Sequence, residues 1–146
     1  MFLIARRRRM YQFSRAIYRE LQGDLLEGPR SDDARDLLAA CEATFARLAR
    51  DRHCFAKPAR SLFRDVRVYF PMDRQLRVYM VIAWHVDVAT EYLERMLARG
   101  IVPEGAVLHC NAVTRSGRAC QRDPLPGRGY CPSHQHLEED RSLTAA

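Results

Sequence analysis

The 25 residues "CNAVTRSGRACQRDPLPGRGYCPSH", positions 110 to 134, hold three of the chain's five cysteines and one of its five histidines. Their only sizeable apolar side chains are Val113, Leu125 and Tyr130. Ordering one residue costs roughly 1–2 kcal/mol of backbone entropy, and burial returns only about 25 cal/mol per Å² of apolar surface. A segment this poor in apolar groups cannot fold on a hydrophobic core of its own, so a stronger local constraint must order it. Cys110, Cys120, Cys131 and His134 follow the spacing C-x9-C-x10-C-x2-H. Three thiolates and an imidazole are the ligand set of a closed structural zinc site. Such a zinc contributes roughly 10–16 kcal/mol in finger peptides near neutral pH, a net figure in which the ordering of the chain is already included.

The intervening residues can deliver that geometry. "TRSG" at 114–117 predicts a turn in which Gly117 takes a positive φ, so a short hairpin brings Cys110 and Cys120 together. Cys131 and His134, three apart, share a face of one helical turn. His136 falls about 140° around a helix from that face, and His109 points away from Cys110 in a strand, so neither is expected to ligate. Tyr130 is expected to pack beside the metal.

The stretch from Cys110 to Cys120 reads C-x-A-x-T-x-x-G-x-x-C, and Tyr130 precedes Cys131. On these residues it resembles the WRC domain of plant growth-regulating factors and also compact CCCH fingers at the ends of uncharacterised bacterial and phage proteins. The resemblance covers residues 110–134 only, and residues 1–100 resemble no family. It implies that Cys110, Cys120, Cys131 and His134 are the metal ligands; WRC domains serve in DNA binding and nuclear targeting. Arg118-Ala119-Cys120 stands where a WRC domain has Trp-Arg-Cys, and Glu138, Glu139 and Asp140 replace its basic run. The bacterial type fits better, and it implies zinc without settling a partner.

Residues 1–100 read as helices. Met10, Phe13, Ile17 and Leu21 recur at helical spacing, with a stop near Gly28 and Pro29. Ser31 is placed to cap a second helix whose first turn holds Asp32 and Asp33 and whose apolar face runs through Leu37, Leu38, Cys41, Phe45 and Leu48. Pro58 opens a third, through Leu62, Phe63, Val66, Tyr69 and Phe70, which Pro71 ends. Asp73 is expected to cap a fourth lasting to Gly100; it is apolar nearly all round from Val78 to Val88, which marks it as the most buried element. The expected fold is mainly α: a four-helix bundle-like domain over 1–100, a linker over 101–108, a zinc-stapled finger over 109–137 and an acidic tail over 138–146 that forms a short helix and frays.

The chain carries 24 basic and 18 acidic residues, and seven Arg against three acids in residues 1–30 place most of the net charge of +6 at the amino end. Positive charge suits nucleic acid, anionic membrane or acidic protein. Lys57, Arg60, Arg64 and Arg67 fall within about 80° on the third helix, and such a stripe can track a phosphate backbone. The turn before it also permits a helix-turn-helix arrangement; the plainer reading is a solvated face. Arg115, Arg118, Arg122 and Arg128 form a smaller basic surface on the finger.

Other functions have less to stand on. The longest uncharged apolar run, "VYMVIAW" at 78–84, is seven residues, and a membrane span needs about twenty. "MFLI" precedes "ARRRR", the wrong order for a secretory signal, so a reducing cytoplasm is expected. For catalysis the best material is His53, His85, Asp87 and Glu91, but no E-x-x-H pair occurs and no base, nucleophile and stabiliser converge. His85 reads as a satisfied core residue and Asp87 as the partner of an Arg; Cys41 and Cys54 read as buried small hydrophobes. The sequence thus leads to a non-enzymatic protein with one structural Zn2+, no small-molecule substrate, and DNA or RNA as its partner through the arginines. The rival reading is a protein adaptor with a structural finger and no nucleic-acid binding.

Overall fold

The computed structural model describes residues 2–51, 57–103, 106, 108–126 and 128–138, with residues 2–9 described by their backbone alone. The chain divides into two compact units, Met1–Ala106 and Val107–Ala146. The first is built from four helices: α1 (Phe2–Leu21), α2 (Asp32–Arg50), α3 (Pro58–Val66) and α4 (Gln75–Ala98). Each packs against the next and α4 returns to α1, which makes a four-helix bundle. Among the described residues no helix is long and apolar enough to cross a membrane.

The helical period positions the core. Met10, Phe13, Ile17 and Leu21 of α1, Leu37, Cys41, Phe45 and Leu48 of α2, Leu62 and Val66 of α3, and Val78, Ile82, Val86, Ala89 and Leu93 of α4 form one buried cluster. Each large side chain removed from water contributes about 1.5–3 kcal/mol. Phe13 ties three helices together, its ring centroid 5.8 Å from Phe45 and 5.7 Å from Tyr92. Two buried hydroxyls on these faces are satisfied locally: Ser14 donates to the Tyr11 carbonyl at 2.8 Å and Thr44 to the Ala40 carbonyl at 2.9 Å.

The ends of the helices follow the chemistry of their residues. The Ser31 hydroxyl accepts from the Ala34 amide at 3.3 Å and caps α2. Pro58 occupies the first turn of α3, where its missing N–H costs nothing. α4 closes with the Gly100 amide on Leu97 and the Ile101 amide on Met96; Gly100 takes φ +71°, a conformation that glycine adopts without a Cβ penalty.

Three expectations are corrected. α3 ends at Val66 and tightens into a 3-10 turn over Arg67–Tyr69 instead of running to Phe70; Pro71 forces its predecessor out of the helical region, and Phe70 is extended at ψ 146°. Asp73 caps nothing: it sits inside a 3-10 turn, Met72–Arg74, and the residue before α4 is Arg74, which makes no side-chain cap. α4 is not buried all round. It buries one stripe, while Leu76, Met80 and Trp84 on its other side are 71%, 62% and 67% exposed, because α1 and α3 flank only the inward face.

Candidate metal centre

The second unit contains no described strand longer than a single bridge, between Val113 and Ala119. That bridge belongs to a hairpin. The Cys110 amide donates to Arg122, the Cys120 amide to Ala112 and the Thr114 amide to Arg118, at 2.8, 2.9 and 2.7 Å. Gly117 takes φ +77° and its amide returns to the Thr114 carbonyl at 2.9 Å, which closes the three-residue loop. Side chains alternate across this ladder, so Cys110, Ala112 and Cys120 lie on one face, all buried, while Val113 on the other is 66% exposed.

A second loop delivers the remaining pair. The Asn111 amide donates to Gly129 and the Leu125 amide to Tyr130, both at 2.9 Å, which lays residues 129–131 along the start of the hairpin. Cys131 then precedes a 3-10 turn, Pro132–His134, whose closing bond runs from the His134 amide to the Cys131 carbonyl at 3.0 Å. That turn puts Cys131 and His134 on one side. Arg122 ties the two loops again, its guanidinium donating to the Ser133 hydroxyl at 2.8 Å.

Cys110, Cys120, Cys131 and His134 therefore converge, and their Sγ and Nδ1 atoms all lie within 4.8 Å of one another. His134 Nδ1 is 3.6 Å from Cys110 Sγ and 3.3 Å from Cys131 Sγ. In a tetrahedral site with Zn–S about 2.3 Å and Zn–N about 2.05 Å, sulfur and nitrogen stand about 3.6 Å apart and two sulfurs about 3.8 Å. The four donors could hold one metal ion. They are the polar centre of a small core that Ala112 and Tyr130 complete, with Leu137 packed against it. Leu137, beyond the last of the four donors, adds apolar cover not singled out from the sequence.

The thiols are already biased. At Cys131 burial opposes ionisation, but hydrogen bonds from the Cys110 thiol, the Ser133 and His134 amides and the His134 ring outweigh it and bring the thiol down from 9.0 to about 7. At Cys120 the Arg122 amide draws the thiol down, yet burial and the neighbouring Cys110 and Cys131 thiols leave it raised. The first group is primed to act as a thiolate, the form that binds metal.

The other sequence candidates separate from this centre. His109 and His136 stand outside the four-residue cluster, although the His136 ring centroid lies 6.4 Å from that of His134. Arg115, Arg118, Arg122 and Arg128 are all exposed; only Arg122 makes a side-chain bond among the described residues. On the helical unit Lys57, Arg60, Arg64 and Arg67 are exposed, and Arg64 touches Asp65 at 3.5 Å. Lys57 and Arg60 line a cleft of about 800 Å³ together with Phe63, Tyr79 and Asp87, a feature that linear spacing could not disclose. The turn of the helix-turn-helix reading, with His53 and Cys54, lies outside the described residues. Cys41 is fully buried, as a small hydrophobe would be. His85 Nε2 meets Glu20 Oε1 at 2.7 Å, so its ring is satisfied between α4 and α1. Asp87 is a further correction: it is exposed and pairs with no Arg among the described residues. The residues beyond Glu138, where the acidic tail was expected to fray, also lie outside the described set. No family model, no curated protein and no solved structure matches the chain.

Proposed function

We propose that the second unit is a zinc finger, a non-catalytic module in which one Zn2+ held by Cys110, Cys120, Cys131 and His134 replaces a hydrophobic core. The observation that carries this is the convergence of four donor atoms within 4.8 Å, three of them from buried cysteines. All four positions of a tetrahedral ion are then taken by protein, which leaves none for a substrate or an activated water. That is why the reading is structural and not enzymatic. Thiols kept for metal also suit a reducing compartment, so we place the protein in the cytoplasm.

On this reading the protein works by holding nucleic acid. Support comes from exposed cations on each unit that no acid engages among the described residues: Lys57, Arg60 and Arg67 on the first, Arg115, Arg118 and Arg128 on the second. Phosphate contacts of this kind are sequence-tolerant and weaken steeply with salt, because each neutralised phosphate releases a counterion. A second reading, a protein adaptor without nucleic-acid binding, is favoured by the apolar side chains exposed on α4.

Native mass spectrometry with and without a chelator, then with a mixed-sequence duplex, tests both parts. One zinc per chain and a DNA complex that dissociates with added salt are the expected results. Zinc without DNA would shift the reading to the adaptor, and absence of zinc would overturn the finger itself. Replacing Arg60, Arg64 and Arg67 together by Ala is expected to remove most of the binding. Unchanged affinity would take α3 out of the account.

A further inference from the structure

α4 presents a second apolar stripe on the side opposite its buried one. Met72, in the turn before the helix, leads into Leu76, Met80, Trp84 and Val88, which recur every four residues and are 82%, 71%, 62%, 67% and 37% exposed. From Leu76 to Val88 the stripe runs about 18 Å at a rise of 1.5 Å per residue. With Trp84 near its centre and three of its other four side chains more than 60% exposed, it presents on the order of 500 Å² of apolar surface, within the size class of functional patches. A soluble monomer rarely leaves a larger single patch than about 300–600 Å² uncovered, and such patches mark contact sites.

Three features select the occupant. A row of side chains at four-residue steps is the ridge with which two helices interlock at about −50°, and two identical ridges satisfy that packing by themselves. The charges around the stripe are polar along its length: Arg74 and Arg77 outnumber Asp73 at the amino end, while Asp87, and Glu91 in a pair with Arg95 at 3.5 Å, occupy the carboxyl end. Arg77 and Arg74 reach Asp24 from one side, Arg74 only at 4.0 Å, and both stay about half exposed. An antiparallel partner with the same sequence brings basic end against acidic end and opposes the helix dipoles; a parallel one stacks like charges. The acids beside the stripe also disfavour an anionic bilayer.

We infer that this face is a self-docking surface: two copies of the chain pair through α4, antiparallel, about a two-fold axis level with Ile82. That axis sets Met80 beside Trp84 of the partner copy, Leu76 beside Val88 and Arg77 level with Asp87. Two-fold pairing through one self-complementary patch is the commonest form of homo-oligomer. Together the copies bury on the order of 1,000 Å², the lower edge of specific interfaces and the range of weak, exchanging complexes. The inference rests on the helical unit alone and is independent of the metal reading.

Trp84 is the chain's single tryptophan, so its emission reads the stripe directly. The full chain is followed by sedimentation velocity and Trp84 fluorescence from about 1 to about 200 μM, a range wide enough to follow a weak, exchanging dimer. A monomer–dimer equilibrium is expected, with Trp84 emission moving to shorter wavelength and acrylamide quenching falling over the same range. Met80→Glu is expected to weaken the dimer about tenfold or more, as loss of a central anchor does, and Asp87→Lys with Glu91→Lys is expected to weaken it as well. A chain that sediments as a monomer throughout with unshifted emission overturns the inference, and this wild-type result decides even where Met80→Glu fails to fold. A dimer indifferent to Met80→Glu also overturns it. So does a Trp84 shift that appears only with phosphatidylcholine–phosphatidylglycerol vesicles, which would give the stripe to a bilayer.

Discussion

The amide of Cys120 donates to the carbonyl of Ala112 at 2.9 Å, and this rung decides which side of the hairpin the thiols occupy. Because side chains alternate along each strand, a slip of one residue would turn Cys120 outward with Ala119 in its place. The loop sets the register, and Gly117 at φ +77° sets the loop. Gly117→Val places a β-branched residue where the left-handed conformation costs about 1–2 kcal/mol. Zinc affinity, measured by competition with a chromophoric chelator, is expected to fall roughly five- to thirtyfold, since about 1.4 kcal/mol is a factor of ten. Arg115→Ala in the same turn, at an exposed position, is expected to leave it unchanged.

Metal removal is expected to act on one unit. The helical unit has its own buried cluster, whereas the core of the finger is made of Cys110, Cys120 and Cys131 with Ala112 and Tyr130. Chelation should erase amide protection over residues 110–134 in hydrogen exchange while α2 and α4 stay protected. Cys110→Ser and Cys131→Ser should each lose the bound ion in native mass spectrometry, and Cys41→Ser should keep it. Protons compete for the thiolates, so apparent affinity should fall as the pH drops, already above neutrality through Cys120, whose thiol is raised from 9.0, and more steeply below about 7, where Cys131 also takes up its proton.

Alkaline stability should report Cys41. Burial first and the Glu42 carboxylate second push its thiol from 9.0 to about 12. The folded state therefore holds this proton more tightly than the unfolded chain. Its contribution is whole below pH 9 and is lost as the pH rises from 9 toward 12. Urea midpoints are expected to decline over that interval in the wild type and to decline less in Cys41→Ala. Native Cys41 should also resist iodoacetamide at neutral pH, as a buried neutral thiol does.

The two faces of α4 should separate in a stability series. Ile82 is fully buried and Met80 is 62% exposed. Ile82→Ala is expected to cost about 2–5 kcal/mol through the cavity it leaves. Met80→Ala is expected to stay within about 0.5 kcal/mol in dilute solution. Similar costs at both positions would restore the all-round burial that the hydrophobic run suggests.

That run shows where linear reading stops. Met10, Phe13, Ile17 and Leu21 declared their helix and its inward face because polar residues marked the other side, and Ser31 declared a cap because its hydroxyl has one obvious use. Between Val78 and Val88 almost every residue is apolar, so periodicity carries no direction; only the packing of α1 and α3 tells which stripe is covered. Asp73 failed as a cap for a related reason, since Pro71 fixes the chain two residues earlier and the 3-10 turn uses up the position. In the finger the four donors could be picked out because few residue types bind soft metal at such spacing. Leu137 could not be, because it reaches the core only after the 3-10 turn at Pro132–His134 redirects the chain.

Arg122 closes the finger twice, with its carbonyl taking the Cys110 amide and its guanidinium reaching Ser133. Ligands on the hairpin and ligands on the turn are thereby held together by contacts that do not pass through an ion. An ion released by parting the two loops would have these bonds to break along with the coordinate ones. On the zinc reading proposed above, residence time would then be a property separate from equilibrium affinity, and an occupied site would retain its ion through brief encounters with chelators.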